Sequence, residues 1–242
     1  MIGTESTRAA LHLTRADPQL GRVIERVGTG APPQSPAGFP ALVRAIVYQQ
    51  ITGAAGDAIV HRLVRAGGVG RLPGPAWFRS SAPETLRGAG LSPQKIGYIE
   101  DLARRVGDGR LHLAGMRRNP DEEVVRALSE VRGIGRWTAQ MYLLFHLGRP
   151  DVLPTGDLGL RKAVQRLTGM RSLPAESTVA RIGRPWAPYR SYATHYLWRS
   201  LEARPPIRER PVNAASRRTA TRRRRSRPSP RAAGAPDRPA RR

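Results

Sequence analysis

The sequence has 242 residues, of which 42 are Lys or Arg and 18 are Asp or Glu, giving a formal net charge of +24 and a pI near 11.8. Such a charge attracts polyanions, so DNA or RNA is the expected partner. The sequence contains no cysteine, which excludes disulfides, thiolate nucleophiles and Cys-ligated zinc or iron–sulfur centres. No run approaches about 18 apolar residues and the N-terminus lacks the pattern of a secretory signal, so we expect no membrane span and a cytoplasmic, nucleoid-associated protein.

Helical periodicity interrupted by Gly and Pro, with almost no strand-like alternation, predicts an all-α fold. Residues 1–16 are expected to be flexible, and a folded domain is expected over 17–203. In chain order, the predicted helices are 17–27, one or two within 39–65, 83–88, 94–106, 121–131, 136–147, 158–168, 177–183 and 189–203. The proline-rich stretch 29–40 is predicted to be a loop.

The last 39 residues, 204–242, carry half of the net charge, because they contain 14 arginines against only Glu209 and Asp237. They also contain seven prolines and few apolar residues, which predicts a disordered tail. Such a tail can bind nucleic acid without sequence preference, through phosphates. It can equally be a solvated extension of biased composition, and the sequence leaves both interpretations open.

The segment 128–147 reads as two helices joined by a tight turn of Gly133, Ile134 and Gly135. The two glycines permit positive φ and leave their amides uncovered by side chains, next to the positive end of the second helix. This arrangement favours a phosphate-binding helix-hairpin-helix, with Ile134 inserted into the core. The alternative is an ordinary helical corner that ends in a glycine.

The loop and helix start at 148–162 follow the hairpin directly, and Asp157 stands where the new helix begins. One interpretation is an N-cap, which stabilises a helix by about 1 kcal/mol. The other is a catalytic carboxylate held beside a bound nucleotide.

Together, the run Val131-Arg-Gly-Ile-Gly-Arg-Trp-Thr-Ala139 and the later Gly156-Asp-Leu-Gly-Leu-Arg161 resemble the helix-hairpin-helix/Gly-Pro-Asp superfamily of DNA glycosylases. The similarity is greatest to the 3-methyladenine DNA glycosylase II branch, which repairs alkylated bases. Three further stretches agree in family order, at 43–51, 90–96 and 186–199. The resemblance implies two all-α lobes with the active cleft between them, and an enzyme that flips the damaged nucleotide out of the duplex.

The resemblance also implies roles for individual residues. Asp157 matches the catalytic carboxylate, and Trp137 and Trp198 match aromatic positions of the base pocket. Tyr142 lies one residue beyond the family's tyrosine, where this chain has Met141, and is the third candidate for the pocket. The helical spacing of Trp137 and Met141 also suits a plain core.

The expected DNA contacts comprise the hairpin and three positions outside it: Gly133, Ile134, Gly135, Arg136, Thr138, Gln50, Lys95 and Arg190. Gln50, next to Ile51, lies near the position from which the family fills the gap left by the flipped base. We expect no cofactor and no metal held by side chains, although hairpin carbonyls of the family often hold a monovalent cation.

The predicted function is therefore that of a monofunctional DNA glycosylase that removes alkylated purines, chiefly of the 3-methyladenine type, from double-stranded DNA. Relatives that also cut the strand use a lysine where this chain has Trp137, so no lyase activity is expected. A monomer is expected. The alternatives are a DNA-binding protein without catalysis and a glycosylase for another, deaminated base.

Overall fold

The structure is a computed structural model and describes residues 2–202, so the tail predicted at 204–242 lies outside the described residues. Every regular element in this range is a helix, which confirms the all-α prediction. Within it, no helix combines the length and the apolar character needed to cross a bilayer.

Twelve α-helices and two short 3-10 helices make up the described chain. The α-helices are α1 (Ile2–Ala16), α2 (Pro18–Val27), α3 (Phe39–Val47), α4 (Gly53–Gly67), α5 (Pro75–Ser80), α6 (Pro83–Gly88), α7 (Pro93–Gly107), α8 (Asp121–Ser129), α9 (Arg136–Phe145), α10 (Leu158–Thr168), α11 (Glu176–Ile182) and α12 (Arg190–Glu202). The 3-10 helices are Leu113–Arg117 and Arg184–Trp186.

Two separate apolar cores divide these helices into two lobes, as the resemblance implied. The central lobe is built on a core that runs from Phe39 to Val152 and takes in α3 to α9. The flanking lobe joins both ends of the described chain, because its core unites α1 and α2 with α10, α11 and α12. The chain therefore passes from the flanking lobe to the central lobe and back.

The N-terminal segment corrects one prediction: residues 2–16 form helix α1 instead of a flexible leader. Ala9 and Leu13 of α1 are fully buried in the flanking core, and Ala10 is nearly so. This spacing of one, three and four residues places the three side chains on one helix face. The pattern is visible in the sequence, and packing against α2 explains why the segment is ordered.

Tyrosine hydroxyls hold the loop that joins the lobes, residues 28–38, at both of its ends. The Tyr196 hydroxyl donates to the Gly30 carbonyl at 2.9 Å, and the Gly38 amide donates to the Tyr142 hydroxyl at 2.9 Å. Because the two tyrosines belong to α12 and α9, the connection is bonded to both lobes. The same two helices carry Trp137 and Trp198.

Candidate active site

The hairpin between α8 and α9 has the predicted shape. Gly133 adopts φ +83°, and a Cβ added there would lie 2.1 Å from Cδ2 of the Tyr98 ring. Glycine is therefore required at this position both by backbone conformation and by space. Ile134 is buried in the central core, which confirms that the turn is inserted there.

The amides of this turn are available to a ligand. Among the hydrogen bonds of residues 2–202, none uses the amide of Gly133 or of Gly135 as donor. Gly135 caps the N-terminus of α9, and a Cβ placed on it would meet nothing within 4 Å. Free amides at the positive end of a helix suit a phosphate oxygen.

A buried carboxylate on α7 supports the hairpin from behind. Asp101 is 2% exposed, and its Oδ2 accepts a hydrogen bond from the Arg132 amide at 3.0 Å. Its two oxygens also accept from Arg104 at 2.5 Å and from Arg105 at 3.2 Å. Burial raises the pKa of Asp101, but the hydrogen bonds from Arg132, Arg104 and Arg105 outweigh burial and hold the pKa below its usual value.

The carboxylate of Asp157 lies where the two lobes meet and receives three hydrogen bonds. As the N-cap of α10, its Oδ1 accepts from the Leu160 amide at 2.6 Å. The same oxygen accepts from Nε1 of Trp198 at 2.8 Å, and Oδ2 accepts from Nε1 of Trp137 at 2.9 Å. The N-cap interpretation of Asp157 is confirmed, and the same side chain also accepts hydrogen bonds from two indoles. Its catalytic role stays a prediction.

These bonds leave Asp157 with one oxygen that can still act. A carboxylate offers roughly four lone-pair sites, two on each oxygen. Oδ1 has two donors and Oδ2 has one, Trp137, whose side chain is 49% exposed. Oδ2 is therefore the atom from which the carboxylate can contact a water molecule or a substrate.

Helix α9 separates the predicted aromatic residues onto two faces. Trp137, Met141 and Phe145 follow one another at four-residue spacing along the side that faces the site, and the Phe145 ring stacks on Trp198 with centroids 5.8 Å apart. Tyr142 follows Met141 and therefore projects about 100° away from it about the helix axis. Its side chain packs in the central core, and the residue is 2% exposed. The assignment of Tyr142 to the base pocket is therefore wrong, because its ring packs inward and its hydroxyl holds the Gly38 amide.

A cavity of about 600 Å³ adjoins Asp157 through Trp137. Part of its wall consists of the rings of Tyr48, Tyr98 and Trp137 and the side chain of Met141. Thr138 of α9 also lines it. Asp157 itself does not line this cavity, so Trp137 connects the two: its ring forms the wall while its nitrogen holds the carboxylate. A cavity of this size is typical of small-molecule sites.

Gln50 and Lys95 line the same cavity but differ in what they are free to do. Gln50 is exposed in the loop after α3 and adopts φ +57°, which is unusual for a residue with a side chain. Lys95 donates from Nζ to the carbonyls of Val47 at 2.6 Å and Gln49 at 2.8 Å, and burial lowers its pKa. Lys95 therefore has a structural role, since its ammonium group holds the Gln50 loop, and its contact with DNA stays a prediction.

The two predicted arginines are both paired with carboxylates. Arg190 binds Asp151 through Nε and Nη2, each at 2.7 Å, and this hydrogen bonding raises its pKa. Asp151 takes two of the five N–H donors of Arg190 and compensates its charge, so the structure does not support Arg190 as a DNA contact. Arg136 pairs with Glu122 at 2.6 Å, but both side chains are more than half exposed, so a phosphate can compete for this guanidinium.

No group of three or more His, Asp or Glu side chains within residues 2–202 is placed to hold a metal ion. Met141 and Phe145 are residues at the site beyond those predicted from the sequence. Their spacing of four and eight residues from Trp137 is the signal that identifies them.

Comparison with known proteins gives the same picture. Residues 43–188 match the family model described as HhH-GPD superfamily base excision DNA repair protein. DNA-3-methyladenine glycosylase 1 of Schizosaccharomyces pombe is 32% identical over 203 residues, which are 82% of this chain and 89% of that protein.

Solved structures agree over most of the described chain. The S. pombe 3-methyladenine DNA glycosylase in complex with abasic DNA superposes with a TM-score of 0.74 at 30% identity, covering 81% of this chain and 97% of that one. A DNA-3-methyladenine glycosidase from Bacillus halodurans gives a TM-score of 0.74 at 35% identity, covering 79% and 88%. With the hairpin and the carboxylate between the lobes, these matches show that the chain belongs to the HhH-GPD superfamily of base excision DNA repair proteins.

Proposed function

We propose that the protein is a monofunctional DNA glycosylase that flips alkylated purines of the 3-methyladenine type out of duplex DNA and hydrolyses their N-glycosidic bond. The observation that carries the proposal is the Asp157 carboxylate, held by Trp137 from one lobe and Trp198 from the other. The names of the relatives support the substrate class, since several are called 3-methyladenine glycosylases.

The held carboxylate suits the chemistry of base loss. As the bond between sugar and base breaks, positive charge develops on the sugar, and a fixed negative charge next to it lowers the barrier. The indole and amide donors orient the carboxylate before the substrate arrives, so little reorganisation is needed. Oδ2, with its unused lone pair, can face the sugar or position the attacking water.

The aromatic wall suits the base. An alkylated purine is cationic, which makes it a good leaving group, and a cation is attracted to aromatic faces. Trp137, Tyr48 and Tyr98 provide such faces around the 600 Å³ cavity. Because the base is selected by its charge and already leaves readily, its departure needs no general acid in the pocket. This agrees with the absence of a carboxylate from the cavity wall.

The proposed absence of lyase activity rests on the lysines. Strand cleavage by this family needs a lysine amine that attacks the sugar. The sequence has only Lys95 and Lys162. Lys95 is bonded to two carbonyls, and Lys162 lies exposed on α10, outside the hairpin. Borohydride treatment during turnover should trap no covalent protein–DNA adduct.

We also propose that the enzyme acts as a monomer on the nucleoid and without a cofactor. A monovalent cation at the hairpin is compatible with the residues present. The carbonyls of Val131 and Gly133 accept one hydrogen bond each, from the Ile134 amide and from the Gln49 side chain, and so keep a lone pair for an ion. Such an ion would supply positive charge beside the DNA backbone.

The decisive experiment compares Asp157→Asn with Asp17→Asn. Asp17 is a matched control, because it caps α2 through Oδ1 and accepts from the Trp186 indole through Oδ2 at 3.0 Å, far along the chain from the site. Base release from methylated duplex is followed by chromatography of the free bases. We expect Asp157→Asn to lose at least about 100-fold in single-turnover rate, the size of loss seen when one stabilising group is removed.

The control and the binding assay make the result specific. Asp17→Asn should lower the melting temperature but keep the rate of base release, and Asp157→Asn should still bind the duplex. If both variants released bases at the wild-type rate, the proposed role of Asp157 would be wrong. If the wild type released no base while still binding DNA, the non-catalytic alternative would hold.

A further inference from the structure

A second cavity, of about 560 Å³, lies on the central lobe between α3, α4 and the segment that follows α4. Four exposed cationic or titratable side chains surround it: Arg44, His61, Arg65 and Arg71. Its floor is apolar and includes Val60 and Leu72, which are both buried. We refer to it as the basic cavity.

The arginines of the basic cavity have no carboxylate partner. Among the ion pairs formed within residues 2–202, none includes Arg44, Arg65 or Arg71. Neighbouring arginines of the same lobe behave differently: Arg62 donates to the Ala89 carbonyl, and Arg79 pairs with Asp108. Three uncompensated cations around one concave surface repel each other, and an anion between them would remove that repulsion.

The only acidic residue in the sequence from 39 to 71 is Asp57, and it is already engaged. It accepts a short hydrogen bond from the Tyr48 hydroxyl. That bond is the main reason for the raised pKa of Tyr48, whereas the guanidinium of Arg44 acts in the opposite direction. Asp57 thus does not neutralise the basic cavity as a whole.

The basic cavity is connected to the candidate active site through one helical turn. The Tyr48 amide donates to the Arg44 carbonyl at 3.0 Å, and Tyr48 lines the cavity that contains Trp137. One turn of helix advances about 5.4 Å, so the backbone of Arg44 lies one turn from a residue that lines the cavity beside the candidate active site. The two cavities therefore adjoin the same end of α3.

We propose that the basic cavity is a second binding site for the DNA backbone, separate from the hairpin, in which Arg44, Arg65 and Arg71 contact phosphates. The apolar lining favours a sugar-phosphate chain over free inorganic phosphate, because deoxyribose can pack on Pro40 and Val64, which keep exposed surface, while the guanidiniums bind the charge. The inference rests on the proposed function only in that DNA is the substrate. It concerns binding and not base release.

The test is the salt dependence of binding to an undamaged duplex. Each phosphate contact contributes about 0.9 to the slope of log K against log salt concentration. We expect Arg44→Gln/Arg65→Gln/Arg71→Gln to reduce the slope by about 0.9 to 2.7, and to weaken binding at low salt on the order of tenfold. The lysine variant, Arg44→Lys/Arg65→Lys/Arg71→Lys, should keep the slope, because lysine also binds phosphate as a point charge.

A matched triple variant separates contact from net charge. Arg22, Arg26 and Arg166 are also exposed and surround another surface cavity, in the flanking lobe, but Glu25 lines that cavity as well. Replacing these three arginines by Gln removes the same charge from the folded domain. Equal changes of slope in both triple variants would show that only long-range charge matters and would overturn the proposal.

Two further outcomes are informative. Competition with pyrophosphate distinguishes the sources of the anion: if the basic-cavity variant loses pyrophosphate binding but keeps the wild-type slope for DNA, the site serves free phosphates and the proposal is wrong. Base release by this variant should slow at subsaturating methylated duplex, in proportion to its loss of affinity. Failure of the proposed function would instead appear as absent base release in the wild type, with the binding slopes unaffected.

Discussion

The indole nitrogen of Trp137 lies 2.9 Å from Oδ2 of Asp157, and this hydrogen bond joins the central lobe to the flanking lobe at the candidate active site. Trp198 approaches the other oxygen of the same carboxylate from within the flanking lobe. The carboxylate is therefore oriented by both lobes. Any change in the lobe arrangement when DNA binds must alter or break the bond from Trp137.

Replacing either tryptophan by phenylalanine should slow base release while leaving the fold intact. Phe keeps an aromatic ring but cannot donate to the carboxylate. A hydrogen bond to a charged group contributes about 1.5–3 kcal/mol, so Trp198→Phe and Trp137→Phe should each reduce the single-turnover rate roughly tenfold. Rates on methylated duplex and melting temperatures of both variants provide the measurement.

Trp186→Phe is the control for these two variants. Trp186 is fully buried and donates to Asp17, so its substitution removes the same type of bond in the flanking core. It should lower the free energy of unfolding by about 1–2 kcal/mol without changing the rate of base release. Unchanged rates in both Trp137→Phe and Trp198→Phe would show that the indoles do not prepare the carboxylate.

Asp17 and Asp157 show which features of the site can be predicted from the sequence and which cannot. Both aspartates directly precede a helix, and both are N-caps in the structure. Only the downstream order of hairpin, loop and aspartate indicates that Asp157 has a further role. The indole partners could not be derived from spacing, because Trp198 is 41 residues away from Asp157 and Trp186 is 169 residues away from Asp17.

Gly159→Ala should impair the site with little effect on stability. A Cβ at Gly159 would lie 3.1 Å from Oδ1 of Asp157 and 3.2 Å from Cδ1 of Trp198, so one of these groups must move by a few tenths of an ångström. Alanine also improves helix propensity by up to about 1 kcal/mol, which offsets the crowding. We expect a several-fold slower base release and a melting temperature close to that of the wild type.

A comparison with Gly88→Ala checks this interpretation. Gly88 is also a helical glycine, in α6, and a Cβ there would meet nothing within 4 Å. This variant should keep the wild-type rate. Similar rates for Gly159→Ala and the wild type would mean that the Asp157–Trp198 contact tolerates displacement and is not a precise requirement.

Asp101→Asn should destabilise the hairpin and change the acid sensitivity of the fold. The neutral amide can still accept from the Arg132 amide, but it loses the charge that pairs with Arg104 and Arg105. Both arginines keep access to water, so the free energy of unfolding should fall by about 1–3 kcal/mol and not by the larger amount expected for an unpaired buried charge. Urea unfolding at neutral pH measures this decrease.

The pH dependence of this effect has a defined sign. Since the pKa of Asp101 is lower in the folded protein than its ordinary 3.8, the ionised group stabilises the fold above that value. The stabilisation is lost as the pH falls towards the folded pKa. The stability difference between wild type and Asp101→Asn should therefore shrink below pH 3.8, and a constant difference would contradict the role assigned to the carboxylate.

Long side chains were the least predictable part of the site. Lys95 and Arg190 suggest DNA contacts by charge alone, but their partners are the carbonyls of Val47 and Gln49 and the carboxylate of Asp151. Those partners are 39 or more residues distant in sequence, so no local pattern reveals them. Tyr142 differs: its place on the core face of α9 follows from the 100° step between neighbouring helical residues.

Gln50→Gly should stabilise the folded protein but slow base release. Gln50 is held at φ +57°, a conformation that costs a residue with a side chain about 1–2 kcal/mol and glycine very little. The greater chain entropy of unfolded glycine offsets part of this gain, which leaves an increase of up to about 1 kcal/mol in the free energy of unfolding. A strained residue at a rigidly held loop is typical of a functional position.

If the exposed Gln50 side chain fills the gap left by the flipped base, its loss should slow base release and reduce the fluorescence change of a 2-aminopurine placed next to the lesion. Ile51→Ala is the matched comparison, because Ile51 is also exposed and adjoins the same loop. A larger defect in Ile51→Ala than in Gln50→Gly would assign the gap-filling role to Ile51 instead.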